Sequence, residues 1–194
     1  MTWIPAYKKD ERLIEEMDSF LHDAGQVHLW WLGQSGYLIQ WQGSRLLLDP
    51  YLSDSLTVKY AQTDKPHVRM SERVVDPERL RHIDVVTSSH NHTDHLDEDT
   101  LLPVLRNNPG CRLVIPEANR SFVAERLGCG LSFPLGVNDG QKINLGPFTI
   151  YGIPAKHNEI TRDASGHCEY MGYVIGMGNF TIYHSGDTLW FEEL

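Results

Sequence analysis

Cysteine is scarce in this chain. Cys111, Cys129 and Cys168 are the only three among 194 residues. No two of them have Cys-x-x-Cys spacing, so neither a disulfide framework nor a zinc–thiolate site is expected. Reduced, buried thiols of a cytoplasmic protein are the plain reading. Long hydrophobic runs are also missing. No stretch reaches the roughly 18–20 apolar residues that a membrane-spanning helix needs. The opening "MTWIPAYKKDERLIEEMDSF" lacks the apolar core and small-residue cleavage site of a secretory leader, so none is expected. Positive charge is in deficit, with 17 Lys and Arg against 26 Asp and Glu, a net charge of −9. Phosphate backbones are bound by clustered Lys and Arg, so a broad nucleic-acid surface is not expected.

The hydrophobic fraction, 41%, is enough for a packed core. The length suggests one main domain, which we place at 27–194, behind an N-terminal helical segment at 1–26. In "DERLIEEMDSFLHDAG" the residues Leu13, Ile14, Met17, Phe20 and Leu21 recur at helical spacing, with Gly25 as the expected stop. The period then changes. "VHLWWL" (27–32), "GYLIQW" (36–41) and "RLLLDP" (45–50) read as an antiparallel meander with tight turns. The segment from about 53 to 75 is polar, and "DPERLRHI" (76–83) has a short helical look. "IDVVTSS" (83–89) reads as a strand and "DEDTLLPVLRNN" (97–108) as a helix with Asp97 as N-cap, short or kinked at Pro103. A strand at 112–116 and a helix at 117–128 follow. The stretches "QKINLG", "FTIYGIPAKH", "EYMGYVIGMG" and "NFTIYHSGD" all look like strands. The expected class is a mixed α/β layer protein.

Histidine is abundant in one place. "SSHNHTDHLD" (88–97) carries His90, His92 and His95 with Asp94 and Asp97. In an extended segment, residues i and i+2 share a side. His90 and His92 are therefore expected to present two imidazoles to one cation, with Asp94 and His95 facing a second point nearby. Neutral imidazole with carboxylate suits zinc, manganese or iron.

This His-x-His-x-Asp-His pattern resembles the signature of the metallo-β-lactamase superfamily. Together, "WWLGQSGYLIQ", "LLLDPYLSDS", "SSHNHTDHLD" and "YHSGDT" look most like the L-ascorbate-6-phosphate lactonase-like metal-dependent hydrolases. "HNHTDHLD" also resembles N-acyl-phosphatidylethanolamine-hydrolysing phospholipase D, a relative in that superfamily. The resemblance implies an αββα sandwich, of which this chain carries largely the N-terminal portion. It implies two divalent metal ions, zinc or manganese, with iron also suited. His90, His92 and His157 would bind the first ion, and Asp94 and His95 the second, with Asp187 bridging them. Asp49 and His184 would support the ligands rather than bind metal. The implied chemistry is attack by a metal-bound hydroxide on a lactone or other ester of a small anionic substrate, with Asp94 and Asp187 as its catalytic carboxylates.

Two alternatives stand beside that reading. One is a phosphodiesterase of the phospholipase D-like branch. The other is a non-catalytic, metal-stabilised binding or assembly module. Family members continue beyond the equivalent of Leu194 and supply a last histidine to the second metal site, so that site is expected to be incomplete here. The hairpin holding Val174, Ile175, Phe180 and Ile182 is expected to need cover from a second copy or from the remaining C-terminal portion. Substrate contacts are sought in two loops, one with Lys59, Lys65, His67, Arg69 and Arg73, the other with Arg162 and His167.

Overall fold

A computed structural model describes residues 3–194. Two sheets pack face to face, and helices cover one outer side. The first sheet contains β1 (His28–Gly33), β2 (Gly36–Trp41), β3 (Ser44–Leu48), β4 (Val85–Thr87), β5 (Arg112–Pro116) and β6 (Leu135–Val137), in that order. β1, β2 and β3 form the expected antiparallel meander, while β3, β4, β5 and β6 run parallel. The second sheet is antiparallel, in the order β10 (Phe180–His184), β9 (Met171–Met177), β8 (Phe148–Pro154), β7 (Lys142–Leu145).

The unbroken apolar runs "RLLLD" and "RLVIP" follow from burial on both faces. Leu47, Val86, Leu113 and Ile115 face α1 (Asp10–Ser19), α3 (Glu98–Asn107) and α4 (Arg120–Leu127) through Leu13, Met17, Leu101, Val104, Val123 and Leu127. Leu46, Leu48, Val85 and Val114 face the second sheet through Phe148, Ile150, Tyr173 and Ile175. The fold is thus mixed α/β, and among the described residues its layers are helices, sheet and sheet.

Several local expectations change. α1 ends at Ser19 rather than Gly25. The chain turns because Phe20 leaves the helix to stack on His28 of β1, with ring centroids 4.2 Å apart. A short helix, α2 (Ser55–Lys59), forms inside the segment read as polar, pinned by Tyr51 Oη accepting from Leu56 N at 3.0 Å. Asp97 does precede α3, but its side chain makes no capping bond. It accepts instead from Ser55 Oγ at 2.9 Å and from Thr100 Oγ1. Pro103 sits inside a continuous ten-residue helix. The last hairpin also differs. Ile175 is fully buried between the sheets, and Ile182 packs against the same core. The open face is the opposite one, where Tyr183, Val174 and Tyr151 align across β10, β9 and β8.

Candidate metal centre

The site lies where the first sheet's strands end. β3 finishes at Leu48, and Asp49 follows with a left-handed backbone, φ 38°. Such a conformation is costly for a residue with a Cβ and persists where the surroundings enforce it. Here it turns a fully buried carboxylate toward the neighbouring strand end. Asp49 Oδ1 accepts from Thr87 Oγ1 (3.1 Å) and Ser89 N (3.0 Å), while Oδ2 accepts from His95 Nδ1 (2.7 Å) and Ser89 Oγ. His184 Nε2 lies 3.1 Å from the same oxygen, at ion-pair distance.

β4 stops at Thr87, so His90 and His92 do not sit on an extended segment as their spacing suggested. They converge through a turn, in which His92 O accepts from His95 N (3.1 Å) and Leu96 N (2.8 Å). Arg126 of α4 pins that turn by donating from Nη1 to Asn91 O (2.9 Å) and Leu96 O (3.0 Å). His157 follows β8, and Asp187 follows β10. Their loops are tied together, with Thr188 Oγ1 accepting from Lys156 N at 2.9 Å and Lys156 O accepting from Leu189 N at 2.7 Å. Gly186, with φ 54°, makes the close approach. A Cβ there would stand 2.8 Å from Ser89 Cβ and Oγ.

All six candidate ligands reach one small region. Donor atoms of His90, His92 and His157 lie within 4.8 Å of one another, as do those of His90, His95 and Asp187. Asp94 stands at the rim, its Oδ2 3.8 Å from His95 Nε2, and Asp187 Oδ1 is 3.2 Å from that nitrogen. Ligand atoms on one ion, with bonds of about 2.0–2.2 Å, lie roughly 3–3.5 Å apart. The donor set therefore suits divalent cations. His90 Nδ1 is 3.0 Å from Ser89 Oγ, which leaves Nε2, buried and without a hydrogen-bond partner among the described residues, facing the cluster. A buried polar atom left unpaired is costly, and a bound ion removes that cost.

The electrostatics agree. Burial and the neighbouring His95 charge push the His90 imidazole down to about 3, so it is neutral and ready to ligate. Burial also lowers His92, with His157 adding to the effect. His95 behaves oppositely. Burial would lower it, but hydrogen bonds to Asp187 and Asp49 outweigh that and hold it up at about 10. Asp49 is held far below the usual carboxylate range, because His184 and His95 outweigh its burial. The hydrogen bond from His95 also lowers Asp187. Protonated His95 thus stands between two carboxylates, and its Nε2 side, at Asp187, is where a cation could replace the proton.

Sequence reasoning missed three contributors. Tyr170 stacks on His157 (centroids 4.9 Å apart) and tilts against His90 (5.1 Å). Ser89 links Asp49 to His90 and His95. Arg126 clamps the turn. Only Ser89, inside the histidine run, had any local signal. Of the candidate substrate contacts, Arg162 is engaged by Asp139 at 2.9 Å, and Arg69 is buried.

Comparison with known proteins gives the family. A family model described as "Beta-lactamase superfamily domain" matches residues 28–191. A UPF0173 metal-dependent hydrolase of Caldivirga maquilingensis is 27% identical over 168 residues, covering 86% of this chain and 62% of that protein. The mitochondrial N-acyl-phosphatidylethanolamine-hydrolyzing phospholipase D of Saccharomyces cerevisiae is 26% identical, covering 87% of this chain and 36% of the yeast protein. Among solved structures, the metallo hydrolase Igni18 of Ignicoccus hospitalis superposes with a TM-score of 0.54 at 22% identity, covering 86% of this chain and 63% of Igni18. The chain thus spans about three fifths of the length of such metal-dependent hydrolases. It belongs to the beta-lactamase superfamily domain family.

Proposed function

We propose that this chain holds two divalent ions, zinc or manganese with iron also suited, and hydrolyses a lactone or other ester of a small anionic molecule. The observation that carries the reading is the unpartnered, buried Nε2 of His90 with His92, His157, His95 and Asp187 around it. Bound ions would supply an activated water and polarise the oxygen of the bond under attack. His90, His92 and His157 would hold one ion, and Asp94, His95 and Asp187 would give the other an incomplete set of ligands. Asp49 accepts from His95 Nδ1, which fixes the ring and leaves Nε2 facing Asp187. Asp94, at the open rim, orients the attacking water and takes its proton. Ser89 Oγ donates to Asp49, so the hydroxyl nearest the cluster is committed to support and not to nucleophilic attack.

The similarity to the yeast phospholipase D favours a second reading, in which the same donors act on a phosphodiester. A metal-stabilised module without catalysis is the third. Protein purified without chelator and analysed for metal content and intact mass, then assayed on a panel of lactones and bis(4-nitrophenyl) phosphate, separates them. Two ions with lactone cleavage support the first reading, and diester cleavage alone supports the second. Metal without hydrolysis of either supports the third. The open face of the second sheet, with Tyr151 and Tyr183 exposed on either side of the half-buried Val174, supports association with further polypeptide, either a second copy or additional chain.

A further inference from the structure

A cavity of about 440 Å³ lies beside the metal centre, lined by Trp31, Tyr51, Leu56, His67, Arg69 and Met70 among others. That volume falls in the range of about 300–1,000 Å³ typical of small-molecule sites. It adjoins a second hollow of about 410 Å³ lined by the candidate ligands His92 and Asp94, and the two share Leu56 and His67 on their walls. Leu56 and His67 thus border both the cavity and the hollow at the candidate ligands. Two features define what fits there. The first is apolar surface. Ile4, Trp31, Val68 and Met70 line the cavity and are exposed in the uncomplexed chain, and clustered exposed apolar groups mark binding surfaces.

The second feature is Arg69, which is 5% exposed. Its Nε reaches Asp54 Oδ1 at 3.2 Å, its Nη2 donates to Tyr51 O at 3.1 Å and to Ser53 O, and its plane lies over the Tyr51 ring at 4.9 Å. Nη1 has no partner. Beside it, Gly33 brings no side chain. A Cβ there would be 3.7 Å from Nη1 and 3.4 Å from Ser71 Oγ. A buried guanidinium nitrogen without an acceptor is costly, and an anionic or carbonyl oxygen from a ligand would satisfy it.

We propose that this cavity binds the non-reacting part of the substrate, and that this part is an acyl or aryl chain carrying an anionic oxygen. The placement of the reacting bond rests on the hydrolase reading above, whereas binding in the cavity does not. Isothermal titration of octanoate, butanoate and octan-1-ol into chelator-treated protein tests it. Octanoate should bind at least tenfold more tightly than butanoate, for chain length, and tenfold more tightly than the alcohol, for the charge. Leu56→Trp, which fills the shared wall, and Met70→Asp, on an exposed residue that tolerates change, should each weaken octanoate tenfold or more. Phe180→Ser, on the far hairpin, should not. Equal binding of the three ligands, or octanoate binding unchanged in Met70→Asp, overturns the proposal. The metal-loaded protein is then given 4-nitrophenyl acetate and octanoate. Cavity-dependent octanoate binding with no cleavage of either ester leaves the cavity standing and rejects the hydrolase reading. Cleavage with no chain-length preference and no octanoate binding does the reverse.

Discussion

Asp49 Oδ2 accepts from His95 Nδ1 at 2.7 Å, across 46 residues of sequence and from a backbone in the left-handed region. That bond sets which nitrogen of His95 faces the other candidate ligands, as a supporting carboxylate does in many histidine metal sites. Asp49→Asn should keep the shape but weaken acceptance from His95 and Ser89. We expect metal affinity to fall about 10–100-fold, read by competition with a chromophoric chelator. Unchanged affinity would mean that the ring is held by packing alone.

The raised His95 and lowered His90 predict opposite effects of pH on the metal-free protein. His95 is held at about 10 against an ordinary 6.5. Its contribution to stability is therefore complete below about 6.5 and is lost as pH rises toward 10. His90 is held at about 3, so the unfolded chain takes up a proton that the folded chain refuses. Stability then falls as pH drops from 6.5 toward 3. Thermal unfolding of chelator-treated protein should peak near neutrality and decline on both sides. Metal binding at pH 8 should also release a proton, seen as a binding enthalpy that varies with the ionisation enthalpy of the buffer.

Gly186→Ala should act on both fold and site. Its Cβ would lie 2.8 Å from Ser89 and its φ of 54° disfavours alanine. We expect a loss of about 1–3 kcal/mol, measured by urea unfolding. Displacement of Asp187 should also weaken one of two bound ions more than the other. Loss of stability with both ions retained at full affinity would show that Asp187 does not depend on the turn.

Arg126→Met keeps much of the stem's packing and removes the bonds to Asn91 O and Leu96 O. Two buried-edge carbonyls then lose a charged donor, at a cost of about 1–3 kcal/mol each at most. Amide hydrogen exchange across 90–97 should quicken in this variant while β5 remains protected. Equal protection in both proteins would place the clamp elsewhere.

How much of this was legible in the sequence depends on distance along the chain. His90, His92, Asp94 and His95 are contiguous, so their convergence needs only one turn. The doubly buried strands announced themselves as unbroken apolar runs. Asp49, His157 and Asp187 were located by resemblance, from their place after strands. Arg126 gave no signal, because its partners lie 30 and 35 residues away and its own helix looks ordinary. Tyr170 was hidden for the same reason. The short elements α2 and β6 are too brief for any period to emerge, and the four apolar residues expected to need cover in the last hairpin divide between its two faces, Val174 on the open side and Ile175 and Ile182 on the inner one. Ile175 and Ile182 sit on the side that packs inward, and that side is set by the pairing of β9 with its neighbours.

The most direct test of the central claim is zinc binding measured by equilibrium dialysis and elemental analysis on chelator-treated protein, wild type beside His92→Ala. The account predicts two zinc ions per wild-type chain, the tighter one lost in His92→Ala. Wild-type protein that binds no zinc above background, or a His92→Ala protein that binds it as the wild type does, would contradict the account.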